Sequence, residues 1–292
     1  MSGAGACRLL GEVPVLIVHP AGGAAPLPTV LWFHGLGADK ESHLPELQRF
    51  AAAGLLAIGV DAVGHGQRRL SDFEQQFARP AEQREQLFNT LVAQTVAELP
   101  GLLDALVDSG LSDGQRLAVA GVSMGGCITY GAASRDRRLR AAVALLGSPA
   151  WLFAQQGDFP VARFFPTALL SITAENDCVV PPAAARTLHE ALAIHYASHP
   201  ERLDYRVIAG APHFMNGEDW ARAVGDASAW LAGFVCRSVG LSARGAATGP
   251  TQIVWWQRLA VAGRASGRES AQTRSMIIAT PWPTPTHRAH SA

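Results

Sequence analysis

Three side chains in this 292-residue sequence stand in the order that acyl-transfer chemistry would use: Ser123, Asp177 and His213. A serine hydroxyl attacks a carbonyl well only when a base takes its proton. The base in turn needs a carboxylate to hold its other nitrogen in the right tautomer. Leu117 to Gly126 reads as a strand that enters G-x-S-x-G and leaves as a helix. Such a turn lifts the serine Oγ above a sheet, and Gly121 and Gly125 flank it because side chains there would collide as the strand and helix backbones close on each other. His213 follows the strand Tyr205 to Ile208 on a loop of small residues, and Asp177 follows the strand Ala168 to Thr173. Glu175 is the rival acid, and Asp177 has a competing use as a cap for the helix that starts at Pro182. Of the nine other histidines, His19, His34, His43 and His65 precede the serine. His189, His195 and His199 fall on or just after a helix, and His287 and His290 lie near the C-terminus. His213 is left as the base.

A tetrahedral intermediate also needs donors for its oxyanion. His34-Gly35-Leu36-Gly37 directly follows the strand Thr29 to Phe33, and there the amide of Leu36 can join that of Met124 in an oxyanion hole. His34 itself reads as a residue that shapes the turn. Asp61 and His65, in Asp61-Ala62-Val63-Gly64-His65-Gly66, likewise read as buttresses of their loop.

These residues need a scaffold that brings strand ends together. Short β-rich runs alternate with helical patterns from Glu12 to Val235, which predicts a mostly parallel central sheet with helices on both faces. The further strands are Val13 to His19, Leu56 to Val60, Arg116 to Ala120 and Ala141 to Leu146. Most runs are apolar at every position, as a sheet covered on both sides requires. Helices are expected over Ser42 to Ala53, Glu82 to Ser109, Met124 to Ser134, Pro182 to Tyr196 and Trp220 to Val235. Residues 1–236 form the expected catalytic domain. Residues 237–292, rich in Ser, Thr, Gly, Ala and Arg, read as a tail that is disordered or loosely packed, although Trp255 and Trp256 are unusual in a solvated segment.

Composition narrows the function classes. Hydrophobic residues make up 48% and charged residues 16%, which marks a chain that packs a core. Lys plus Arg (24) cancels Asp plus Glu (24), so no net field favours nucleic acid or an anionic membrane. Cys7, Cys127, Cys178 and Cys236 are too scattered for a thiolate metal site or a disulfide framework. The N-terminus lacks the pattern of a secretory signal, and no run reaches 18 uninterrupted apolar residues. The expectation is a cytoplasmic protein with no membrane or nucleic-acid partner, no metal and no cofactor, acting on a small molecule. The oligomeric state is not legible.

Taken together, His34-Gly35-Leu36-Gly37, Asp61 to Gly66, Gly121-Val122-Ser123-Met124-Gly125, Asp177 and Pro212-His213 resemble the α/β-hydrolase superfamily. Within it the chain is similar to prolyl-oligopeptidase-like and dienelactone-hydrolase-like esterases over about Glu12 to Val235. The resemblance implies the α/β-hydrolase fold and hydrolysis through an acyl-enzyme. Dienelactone hydrolases proper use a cysteine where this chain has Ser123, and the propeller of true oligopeptidases has no counterpart here. A serine carboxylesterase for small, short-acyl esters is therefore expected. Only about twenty residues, Gly147 to Pro166, separate two strands where a large lid would be inserted, too few for several helices of about 11 residues. The alternatives are an acyltransferase or thioesterase using the same residues, or a ligand-binding homologue without catalysis.

Overall fold

The computed structural model describes residues 5–156 and 159–236; the proposed tail, 237–292, lies outside them. Eight strands form one sheet in the order β1-β2-β4-β3-β5-β6-β7-β8. They are β1 (Ala6–Leu10), β2 (Val13–Val18), β3 (Leu27–Phe33), β4 (Leu56–Val60), β5 (Ser112–Val122), β6 (Leu139–Leu145), β7 (Ala168–Ala174) and β8 (Leu203–Ile208). β2 runs antiparallel to β1 and β4, and every other pairing is parallel. This is the α/β-hydrolase fold. The seven expected strands are all present, most of them a residue or more longer than expected. β1 was not expected: its five residues are exposed or half-buried, so it carries no apolar run to announce it.

The helices are α1 (Leu44–Ala52), α2 (Phe73–Phe77), α3 (Ala81–Asp108), α4 (Met124–Arg135), α5 (Ala150–Gln156), α6 (Ala183–Leu192) and α7 (Gly217–Val235). Alternation along the strands sorts them into two layers. Val30 and Trp32 of β3, with Ala118 and Ala120 of β5, face α1 and α7. Leu31, Phe33, Leu117 and Val119 face α3, α4 and α6. β2, β3, β4 and β7 are buried at every position, which is why these segments read as unbroken apolar runs.

α3 is long and apolar enough by length and composition to cross a bilayer. Here its stripe of Leu91, Val92, Val96, Leu99, Leu103 and Leu106 is buried in the core, at the three- and four-residue spacing of an amphipathic helix. α2 and α5 were not expected; both are short, five and seven residues, and sit in connections between the regular elements.

Candidate active site

β5 delivers Ser123, which sits between the strand and α4 at φ 56°, ψ −113°. A non-glycine residue in that region is strained, and the surroundings hold it there. Its amide donates to Leu145 O at 2.8 Å. Glycine is required on both sides of the turn. A Cβ at Gly121 would lie 2.6 Å from Gly125 O and 2.7 Å from Phe33 O, and one at Gly125 would run into the Phe33 carbonyl. The neighbouring crossing needs glycine too: a Cβ at Gly126 would meet Leu145 O at 2.7 Å, and one at Gly147 would meet the Gly126 backbone.

His213 Nε2 is 3.1 Å from Ser123 Oγ, and its Nδ1 is 2.7 Å from Asp177 Oδ2. Asp177 is buried, and its Oδ1 accepts the amides of Val179 at 2.9 Å and Val180 at 2.7 Å. The carboxylate thus shapes its own loop with one oxygen and meets the histidine with the other. Glu175, the rival acid, points elsewhere: it accepts the Gly210 amide at 2.7 Å. The Glu175 amide donates to Ile208 O and the Asn176 amide to Ala211 O, while Asn176 Nδ2 donates to Gly210 O. Glu175 and Asn176 therefore tie the loop after β7 to the loop that carries His213.

The turn after β3 comes close to the nucleophile, since a Cβ at Gly35 would lie 3.7 Å from Ser123 Cβ. Leu36 lines the same cavity as Ser123. Met124 is the first residue of α4, so its amide has no helical acceptor and is available for an oxyanion. His34 is fully buried. The Ala62 amide donates to its Nε2 at 3.1 Å, which leaves the proton on Nδ1 to be donated to Gly35 O at 2.8 Å. Burial lowers its pKa to about 4, so it holds the turn as a neutral ring.

Asp61 is also buried. It accepts Lys40 Nζ at 2.8 Å and the amides of Lys40 and Gln67 at 2.9 Å, so it joins the turn after β3 to the one after β4. His65 donates through Nδ1 to Val63 O at 3.0 Å and packs edge-on against Phe73. Both residues act on loop structure, in line with the reading from sequence.

The cavity over Ser123 measures about 280 Å³ and is walled by Leu36, His43, Val122, Leu146, Met215 and Trp220, with Phe214 beside His213. Leu146 and His43 are among the wall residues not identified from sequence. Leu146 was expected to end a strand but lies past β6 at φ 51°, with its amide donating to Ile172 O. A bulky residue in the left-handed region costs about 1–3 kcal/mol, and no sequence pattern announces it. His43 was set aside because it precedes the serine; its spacing of three from Glu46 at the start of α1 was the available signal.

The model of the dienelactone hydrolase family matches residues 13–221, which includes every residue of this constellation. The chain belongs to the dienelactone hydrolase family. The YitV protein of Bacillus subtilis (strain 168), provisionally named an esterase, is 28% identical over 218 residues, 64% of this chain and 83% of its own length. Esterase YjfP of Escherichia coli (strain K12) is 30% identical over 154 residues, 52% of this chain and 59% of that protein. The crystal structure of TT1662 from Thermus thermophilus superposes with a TM-score of 0.61 at 25% identity, over 79% of this chain and 99% of that one. As a dienelactone hydrolase family member, the protein is an enzyme of the hydrolase class with esterase-named relatives.

Proposed function

We propose that this enzyme is a serine carboxylesterase for small, short-acyl esters. The observation that carries the reading is the continuous relay from Ser123 Oγ to His213 Nε2 and from His213 Nδ1 to Asp177, opening on one cavity. Ser123 Oγ forms a bond to the ester carbonyl carbon while His213 Nε2 takes its proton. The amides of Leu36 and Met124 receive the oxyanion, and Asp177 steadies the imidazolium. His213 then returns the proton to the departing alcohol as the C–O bond breaks. In the second half-reaction water attacks the acyl-enzyme, loses its proton to His213, and releases the acid and Ser123.

The size of the cavity supports short acyl groups. At about 280 Å³ it lies just below the range of about 300–1,000 Å³ typical of pockets for drug-sized ligands. The connection that leaves the cavity wall at Leu146 has, among the described residues, one α-helix, the seven-residue α5. A fluorophosphonate probe should label the wild type and leave Ser123→Ala unlabelled. Across p-nitrophenyl acetate, butyrate, octanoate and palmitate, kcat/KM should peak at acetate or butyrate. Labelling that survives in Ser123→Ala would remove the serine assignment, and a maximum at octanoate or longer would remove the size assignment.

A further inference from the structure

The cavity that holds Ser123 has a second histidine–carboxylate pair in its wall. His43 ends the short 3-10 turn that leads into α1 and lines the same cavity as Ser123 and His213. Its Nδ1 faces Glu46 Oε2 at 3.4 Å, with the two side chains only 15% and 11% exposed. Its ring stands edge-on to the buried Trp32, centroids 5.4 Å apart. The other Glu46 oxygen accepts the indole N–H of Trp220 at 2.7 Å, and Trp220 is itself a wall residue. Burial works to raise the Glu46 pKa, but hydrogen bonds from His43 and Trp220 outweigh it and hold the net shift downward, so Glu46 is a carboxylate.

The consequence lies at the far side of the His43 ring. A carboxylate against Nδ1 keeps a proton on that nitrogen, so in the neutral ring Nε2 is an acceptor. Among the described residues no protein group hydrogen-bonds to it. Val122, Leu146 and Met215, in the wall of the same cavity, are apolar. One acceptor in such surroundings discriminates between substrates, because an ester without a matching donor leaves it unpaired on binding.

We propose that His43 is a substrate-positioning residue whose Nε2 accepts a hydrogen bond from a hydroxyl group carried by the ester. The enzyme then favours hydroxyl-bearing esters over alkyl esters of the same shape. This rests on the serine-esterase reading, and it adds a chemical class of substrate to it. Glu46 has two tasks in this arrangement: it orients the imidazole and it anchors the Trp220 wall.

The test uses two pairs of near-isosteric esters, because the hydroxyl can belong to either half of the substrate. For the acyl half, the p-nitrophenyl ester of 3-hydroxybutyrate is compared with that of 3-methylbutyrate. For the alcohol half, 2-hydroxyethyl butyrate is compared with propyl butyrate. The readout is the ratio of kcat/KM within a pair, compared between variants so that intrinsic reactivity cancels. His43→Phe keeps an aromatic ring against Trp32 and loses the acceptor; the ratio should fall about tenfold in at least one pair, the size expected for one neutral hydrogen bond. His43→Gln keeps an acceptor and should retain more of that ratio than His43→Phe. Melting curves first establish that each variant is folded; if only His43→Gln folds, retention of the wild-type ratio supports the proposal and its complete loss overturns it. A ratio in folded His43→Phe within twofold of wild type in both pairs also overturns it. Ser123→Ala, assayed on the same four esters, tests the parent reading separately: activity surviving there overturns the serine assignment whatever the ratios show.

Discussion

Among the described residues there are two serine–histidine contacts, and the shorter one is not at the candidate active site. In the core, Ser171 Oγ of β7 lies 2.7 Å from His189 Nε2 of α6 and 2.7 Å from the Tyr130 hydroxyl of α4. At the C-terminal end of β5, Ser123 and His213 are 3.1 Å apart. Three differences separate the pairs. Ser171 is an extended strand residue with no exposure, whereas Ser123 is forced to φ 56° at the mouth of a cavity. His213 has Asp177 on its second nitrogen, while His189 packs its ring against Tyr205. Burial lowers the His189 pKa to about 4, so that imidazole resists accepting the proton a base must take. Proximity of serine and histidine is thus insufficient for nucleophilic chemistry. Access, backbone strain and an orienting carboxylate distinguish the candidate site from a satisfied core polar cluster.

Each part of that contrast can be challenged. The largest effect is expected from the carboxylate. Asp177→Asn should lower kcat by about 10⁴, as replacing an orienting carboxylate by an amide favours the wrong histidine tautomer. Glu175→Gln should cost far less, about tenfold, through a loosened contact to Gly210. Steady-state assays on p-nitrophenyl butyrate compare them directly, and a reversed order would move the role of the acid to Glu175. Next comes the buried serine. Ser171→Ala removes the partner of both Tyr130 and His189, and two unsatisfied buried groups should cost about 2–6 kcal/mol in urea unfolding. Its kcat/KM should stay within about twofold of wild type, since nothing in the cavity changes.

The smallest effect is the pH response of the core histidine. The folded pKa of His189 lies near 4, below its ordinary value of 6.5. The unfolded chain therefore binds more protons between these values, so this contribution is fully present above about pH 6.5 and is lost as pH falls towards 4. Between pH 7 and pH 5 it amounts to about 2 kcal/mol. Urea unfolding at the two pH values should show a smaller loss for His189→Gln than for wild type; equal losses would place the titration elsewhere.

The contrast also shows what was legible in the sequence. The central strands were readable because burial on both faces demands apolar residues, as in Val30 to Phe33 and Leu117 to Ala120. β1 was not, because an exposed edge strand places no such demand on Ala6 to Leu10. Ser123 was readable through steric constraint: only glycine fits at 121 and 125, and those positions leave a mark in the sequence. Asp177 was preferred to Glu175, two residues away in the same loop, and in the structure Asp177 meets His213 while Glu175 accepts the Gly210 amide. Chain order excluded His43 as the base and said nothing about its place in the cavity wall. The strain at Leu146 arises from tertiary packing alone and leaves no local signature.

The bonds through Glu175 and Asn176 have a consequence for inheritance and for engineering. Two main-chain and two side-chain hydrogen bonds join the loop after β7 to the end of β8 and the loop after it, so Asp177 and His213 are mounted on one bracket. Any insertion in either loop must be absorbed by both, or the register that brings Asp177 to His213 is lost. A chimaera with its crossover in α6 would take the two halves of the bracket from different parents. Residues 175–213 are therefore best exchanged as a block, with α6 carried along as cargo.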